Sequence, residues 1–183
     1  MIQRIRETLE PLLGKQERVI LAIDGSCTAG KTTLAGALAE QYDCNVFHMD
    51  DFFLRPEQRT EDRYAQPGGN VDYERFRSEV LEPLLAGSEF TYRPFDCRTF
   101  SLSEPVQVLP KKLNIVEGSY SMHPFFGNVY DLTVFLTVSP ELQRSRVARR
   151  PAHLHKQFHE KWIPMENRYF REFDVKNRCH LVF

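Results

Sequence analysis

The apolar positions of this chain change period as the sequence runs, and the changes mark out its elements. Ile2, Ile5, Leu9 and Leu12 recur at helical spacing and predict a first helix that ends near Gly14. Val19-Ile20-Leu21-Ala22-Ile23 is apolar at every position, so it predicts a strand covered on both faces, as in a parallel sheet. A helix is expected from Lys31 to about Tyr42, then short strands at Asn45 to Met49, Leu113 to Val116, Leu132 to Val138 and His180 to Phe183. Phe76, Val80, Leu81, Leu84 and Leu85 form one face of a helix that Asp72 caps and Gly87 closes. Phe90 to Phe95 and Val106 to Leu109 predict a β-ribbon over about 90–109. Ser139-Pro140-Glu141 opens a further helix, and a longer one follows, interrupted by Pro164. Phe158, Trp162, Tyr169, Phe170 and Phe173 are assigned to the core. Leu54 to Gly69 is polar and rich in charge, Pro and Gly, and predicts a mobile loop of functional length.

Strands alternating with helices predict an α/β architecture. The expected form is a mostly parallel five-stranded sheet with helices on both faces, in one domain spanning 1–183. Composition narrows the partners. Formal net charge is −1 over 183 residues, which lacks the basic excess of a nucleic-acid binder. No apolar run approaches the length of a membrane span, and the amphipathic N-terminal residues contain no apolar signal core. The four cysteines, Cys27, Cys44, Cys97 and Cys179, are widely spaced without a C-x-x-C pair, so a reduced, cytoplasmic protein is expected. A homo-oligomer stays open.

The chemistry begins between the first strand and the second helix. Gly25-Ser26-Cys27-Thr28-Ala29-Gly30-Lys31-Thr32 fits G-x-x-x-x-G-K-[ST], the phosphate-binding loop. Its glycines allow a tight turn whose N–H groups point inward, and the helix N-terminus adds unpaired donors. Lys31 supplies a full charge toward the outer phosphates, and the Thr32 hydroxyl is the expected Mg²⁺ ligand, with Thr33 one residue deeper. Cys27 fits the turn as a small residue, although helix-end amides can lower a thiol pKa there. In doubly wound sheets ligands bind at the carboxyl ends of strands. Asp50 and Asp51 follow one predicted strand and Glu117 ends another. Adjacent strand residues point apart, so one of the two aspartates is expected to enter the site. Arg144, Arg146, Arg149 and Arg150 lie on the next helix and suit a basic lid over about 144–158. His153, His155 and His159 lack the further ligands a metal centre needs.

Taken together, Asp24-Gly25, Gly30-Lys31-Thr32-Thr33, His48-Met49-Asp50-Asp51-Phe52-Phe53, Asn70-Val71-Asp72-Tyr73, Phe95-Asp96 and Val116-Glu117-Gly118 resemble the uridine kinase family. That family belongs to a group of P-loop small-molecule kinases with pantothenate kinase, phosphoribulokinase and nicotinamide riboside kinase. The resemblance implies a P-loop nucleoside-triphosphate hydrolase fold and ATP-dependent, Mg²⁺-dependent phosphorylation of a small-molecule hydroxyl. The acceptor it implies first is a nucleoside 5′-hydroxyl, uridine- or cytidine-like, with nicotinamide riboside, pantothenate or a sugar as alternatives. It places the general base at Asp50, a metal-associated carboxylate at Glu117, and an acceptor contact at Asp72. It gives lid cations at Arg146 and Arg149, and acceptor-side residues at Phe95, Asp96 and Arg98. Family members read the base with a Tyr and a His, and Phe95 and Phe100 occupy those positions here. A non-catalytic nucleotide-binding regulator is the other expectation.

Overall fold

The computed structural model describes residues 1–183. Helix α1 (Ile2–Lys15) leads into strand β1 (Val19–Gly25), the phosphate-loop turn and α2 (Lys31–Ala39). Strand β2 (Cys44–His48) runs into a 3-10 turn, Met49–Phe52, and a second such turn at Pro56–Gln58 precedes α3 (Glu61–Ala65). Helix α4 (Tyr73–Phe76) passes through a π turn (Arg77–Leu81) into α5 (Glu82–Ala86). Short strands β3 (Phe90–Tyr92), β4 (Phe95–Asp96), β5 (Ser101–Leu102) and β6 (Val106–Val108) come next. Core strands β7 (Leu113–Glu117) and β8 (Leu132–Leu136) precede α6 (Pro140–Val147) and α7 (Ala152–Gln157). A π turn (Phe158–Trp162), α8 (Ile163–Glu172) and β9 (Leu181–Val182) complete the chain. No helix is long and apolar enough to cross a membrane.

The five core strands lie in the order β2-β7-β1-β8-β9, all parallel. Strands β1, β7 and β8 are buried at every position, which explains their mostly apolar sequence; the polar exceptions Asp24, Asn114, Glu117 and Thr133 are buried as well. Alternation survives as a choice of face. Val19, Leu21 and Ile23 pack with Ile5 and Leu9 of α1 and Leu34 and Leu38 of α2. Ile20 and Ala22 point the other way, into a core with Phe47, Phe52, Phe76, Val80 and Tyr169. Each such buried aliphatic or aromatic side chain contributes roughly 1.5–3 kcal/mol.

Three expectations are corrected. The stretch from Leu54 to Gly69 is not one irregular loop. Thr60 caps α3, its Oγ1 accepting from Arg63 N at 3.1 Å, and Arg63 forks onto both Glu74 oxygens at 2.6 and 2.7 Å. The ribbon strand expected from Phe90 to Phe95 breaks at Arg93-Pro94, because Pro has no N–H to offer a ladder. Two separate hairpins result, β3 with β6 and β4 with β5. Phe158 and Trp162 lie outside both cores and stack edge-to-face on each other, ring centroids 4.7 Å apart. Tyr169 is fully buried, with Phe170 and Phe173 packed against its cluster.

Candidate active site

The strand order brings the ends of β1, β7 and β2 side by side, with Ile23 and His48 both in register with Glu117. Everything that follows is built on those three ends. At the end of β1, Gly25 has φ +135°, and a Cβ there would overlap the Leu136 carbonyl of the neighbouring strand. The turn continues through Ser26, Cys27, Thr28 (φ 62°) and Ala29 to Gly30, whose left-handed φ of 102° starts α2. The Thr28 hydroxyl is buried without a partner. Lys31 is buried and its Nζ donates to Gly25 O at 2.8 Å, Ser26 O at 2.9 Å and Ser119 Oγ at 3.2 Å. Thr33 is exposed.

The end of β7 supplies Glu117, buried, whose Oε1 accepts from Thr32 Oγ1 at 3.0 Å. The same oxygen meets His48 Nδ1 at 2.6 Å, and that bond raises the His48 pKa. Gly118 (φ +133°) then turns the chain where a Cβ would come within 2.7 Å of Met49 Cβ. At the end of β2 the two aspartates part. Asp51 turns inward, accepting from Tyr92 Oη at 3.4 Å, while its backbone carbonyl takes Arg75 Nη2 at 2.7 Å. Asp50 is solvent-accessible, although protein surrounds it on most sides. That crowding raises its pKa first and the nearby Glu117 second, with Lys31 opposing and Glu166 adding a smaller push upward.

Two later helices lean on the phosphate loop. From α6, Arg146 Nη1 donates to Thr28 O at 2.6 Å, and Gln143 Nε2 reaches Cys27 O at 3.2 Å. Arg149 follows α6 and is exposed. From α8, buried Glu166 accepts from Cys27 N at 2.8 Å and from Ser119 Oγ at 2.6 Å. The Cys27 thiol is accordingly not activated. Burial, then the Glu166 carboxylate, pushes its pKa up to about 12. His155 Nε2 sits 2.7 Å from Arg150 O.

Asp72 is buried and caps α4, accepting from Arg75 N at 3.1 Å and from Gln58 Nε2 at 2.8 Å. Phe95 is buried, whereas Asp96 and Arg98 pair with each other at 2.8 Å on the surface. That pairing holds the Asp96 pKa down at about 2.

No family model matches the chain, and no curated protein does. Solved structures do. One described as a possible uridine kinase from Bacillus stearothermophilus superposes with a TM-score of 0.71, at 22% identity, covering 98% of this chain and 99% of that one. A candidate fructose transport system kinase from Silicibacter sp. TM1040 gives 0.73 at 20% identity, covering 100% and 98%. The chain has the P-loop kinase fold. At these identities the likeness is one of fold. Within this fold, the glycine turn, the Thr32–Glu117 pair and Asp50 all lie at the carboxyl end of the sheet.

Sequence reasoning missed several residues of this end. His48 carried a signal, since it ends the strand beside Glu117. Asp24 carried one too, as a carboxylate closing an apolar strand; it is fully buried and accepts from Gly25 N, Met122 N and Tyr169 Oη at 2.7, 3.0 and 2.8 Å. Glu166 and Ser119 had no local signal, because they meet the loop only through the fold.

Proposed function

We propose that this protein is an ATP-dependent kinase for a small-molecule alcohol. The observation that carries the reading is the convergence at three adjacent strand ends. A glycine turn with a buried lysine ends β1, an oxygen pair ends β7, and an accessible carboxylate follows β2.

The geometry supports a division of labour. The amides of Thr28, Gly30, Lys31 and Thr32, at the turn and the N-terminus of α2, suit a triphosphate, and the unpartnered Thr28 hydroxyl fits beside it. Thr32 and Glu117 present hard oxygen donors 3.0 Å apart, a set suited to Mg²⁺, with Asp50 beside them. No three His, Cys, Asp or Glu side chains cluster as a metal cage, which fits an ion that keeps waters and phosphate oxygens as its other ligands. When bound there, Mg²⁺ supplies positive charge to the phosphates.

In the transfer, the acceptor oxygen forms a bond to the γ-phosphorus as the bond from that phosphorus to the β–γ bridging oxygen breaks. Asp50 takes the hydroxyl proton. Its raised pKa makes it a stronger base than an ordinary aspartate. Lys31, Arg146 and Arg149 balance the negative charge on the oxygens. Arg146 is already anchored on the loop, while Arg149 is exposed at the far end of α6. The acceptor class in this reading is a small polyhydroxyl molecule; nucleosides, ribosides, sugars and pantothenate all belong to it. Contact through Asp72 requires Gln58 to release its carboxylate. A cytoplasmic setting belongs to the same reading.

The test is ADP release from ATP and Mg²⁺ across a panel of nucleosides, ribosides, sugars and pantothenate. Acceptor-dependent release is expected with at least one class. Nucleotide binding without any acceptor-dependent release would favour a regulator instead.

A further inference from the structure

One arginine on the acceptor side is built differently from its neighbours. Arg55 lies 3.5 Å from Glu57, Arg63 2.6 Å from Glu74, Arg75 3.8 Å from Glu79 and Arg98 2.8 Å from Asp96. Arg59 has no carboxylate. Its Nε donates to Leu54 O at 2.9 Å, and both Nη groups are left without a protein acceptor. The guanidinium lies against two aromatic rings, its Cζ 5.6 Å from the Phe95 centroid and 5.1 Å from the Phe100 centroid. Both rings lie within cation–π reach of the guanidinium and favour its position there. Hydrogen bonding is then left to its Nη edge, the geometry that takes a carboxylate or phosphate bidentately.

Phe100 supports this assignment independently. It is 53% exposed and holds a left-handed φ of 55°, unusual for a bulky residue. Neither feature benefits the hydrophobic core. Both are accounted for if the ring is a platform for Arg59. The cluster borders the reacting centre: β4, which carries Phe95, packs on the Met49–Phe52 turn that carries Asp50. Cys97, at the tip of the same hairpin, feels the charges of both Arg59 and Asp50. Asp96 is engaged by Arg98, and Asp72 by the α4 cap and Gln58.

We propose that Arg59, lying against Phe95 and Phe100, grips a carboxylate or phosphate on the acceptor, so that the alcohol presented to Asp50 is an anionic one. The inference rests on the kinase reading for the transfer step, but the anion site does not.

Two measurements separate the inference from the reading beneath it. The first is kcat/KM with ATP and Mg²⁺ for matched acceptors: glycerol against glycerate, pantothenol against pantothenate, fructose against fructose 6-phosphate. The anionic member is expected to win by about 10–100-fold, the range of charged hydrogen bonds. The carboxylate and phosphate pairs show which anion the site takes. Arg59→Gln should cut that anionic-to-neutral ratio at least about tenfold. Phe100→Leu, at an exposed position that folding does not need, should raise KM for the anionic members. A preference for the neutral members, or an anionic preference that survives Arg59→Gln, overturns the proposal.

The second measurement applies if no acceptor turns over. Inorganic phosphate is titrated into protein whose loop is filled with a non-hydrolysable ATP analogue and Mg²⁺. Saturable binding that weakens at least about tenfold in Arg59→Gln upholds the anion site while the kinase reading falls. No binding, or binding indifferent to Arg59, overturns the anion site.

Discussion

The wall we assign to the phosphates and the wall we assign to the acceptor are made in different ways. The phosphate wall consists of strand ends and one eight-residue turn, with contacts largely to backbone: Lys31 to the Gly25 and Ser26 carbonyls, Glu166 to the Cys27 amide, Arg146 to the Thr28 carbonyl. The acceptor wall consists of short pieces, two 3-10 turns, α3 and a two-residue hairpin, joined by arginine side chains. A triphosphate is the same in every kinase, so a backbone cradle serves for all of them. Acceptors differ, and side chains on short segments are where such differences are accommodated.

If that contrast is right, damage to the phosphate wall should cost the fold most. Gly25→Ala combines a Cβ overlapping Leu136 O with a φ of +135°, and is expected to destabilise by about 3–5 kcal/mol. In thermal unfolding that is a drop of roughly 10 °C or more. A variant as stable as the wild type would mean that the turn is less tightly held than it looks.

Next in size is Asp24, under the same wall. Burial raises its pKa from 3.8 to about 6. The folded state therefore holds this proton more tightly than the unfolded chain. The associated stability is fully present below pH 3.8 and is lost as pH rises through about 6. The loss is about 3 kcal/mol at most. Comparing wild type with Asp24→Asn by denaturant unfolding isolates it: the difference between the two curves should change between pH 4 and 6, because the variant has no proton to lose. Parallel pH profiles would remove the claim.

The phosphate wall was also the legible one. An unbroken apolar run located β1, mostly apolar runs located β7 and β8, and the glycine-lysine motif located the turn between β1 and α2. Asp50 and Glu117 were found because strand ends are where ligands meet such sheets. Leu54 to Gly69 in the acceptor wall was read as a loop, since a five-residue helix such as α3 is too short to show periodicity. What orders it is the Arg63–Glu74 fork across eleven residues, a tertiary pairing with no local pattern. Pro94 was a further overlooked signal: it ends the ribbon strand early. Phe158 and Trp162 show the opposite error, aromatics that pack on each other rather than in the core.

The smallest expected effect belongs to that acceptor wall. Arg63→Met removes the fork on half-exposed Glu74 and a guanidinium 3.9 Å from the Tyr73 centroid. A loss of about 1 kcal/mol is expected, since partly exposed pairs are worth little. The acceptor KM should rise with nucleotide affinity unchanged. A loss as large as that of Gly25→Ala would erase the distinction between the walls.

The central claim is that Asp50, and not its neighbour, receives the acceptor's proton. Single-turnover transfer from ATP, compared between wild type, Asp50→Asn and Asp51→Asn with nucleotide affinity measured alongside, tests it most directly. The account predicts transfer slowed by about 10²-fold or more in Asp50→Asn with ATP still bound, and a much smaller change in Asp51→Asn. Equal losses in the two variants, or full transfer in Asp50→Asn, would contradict it.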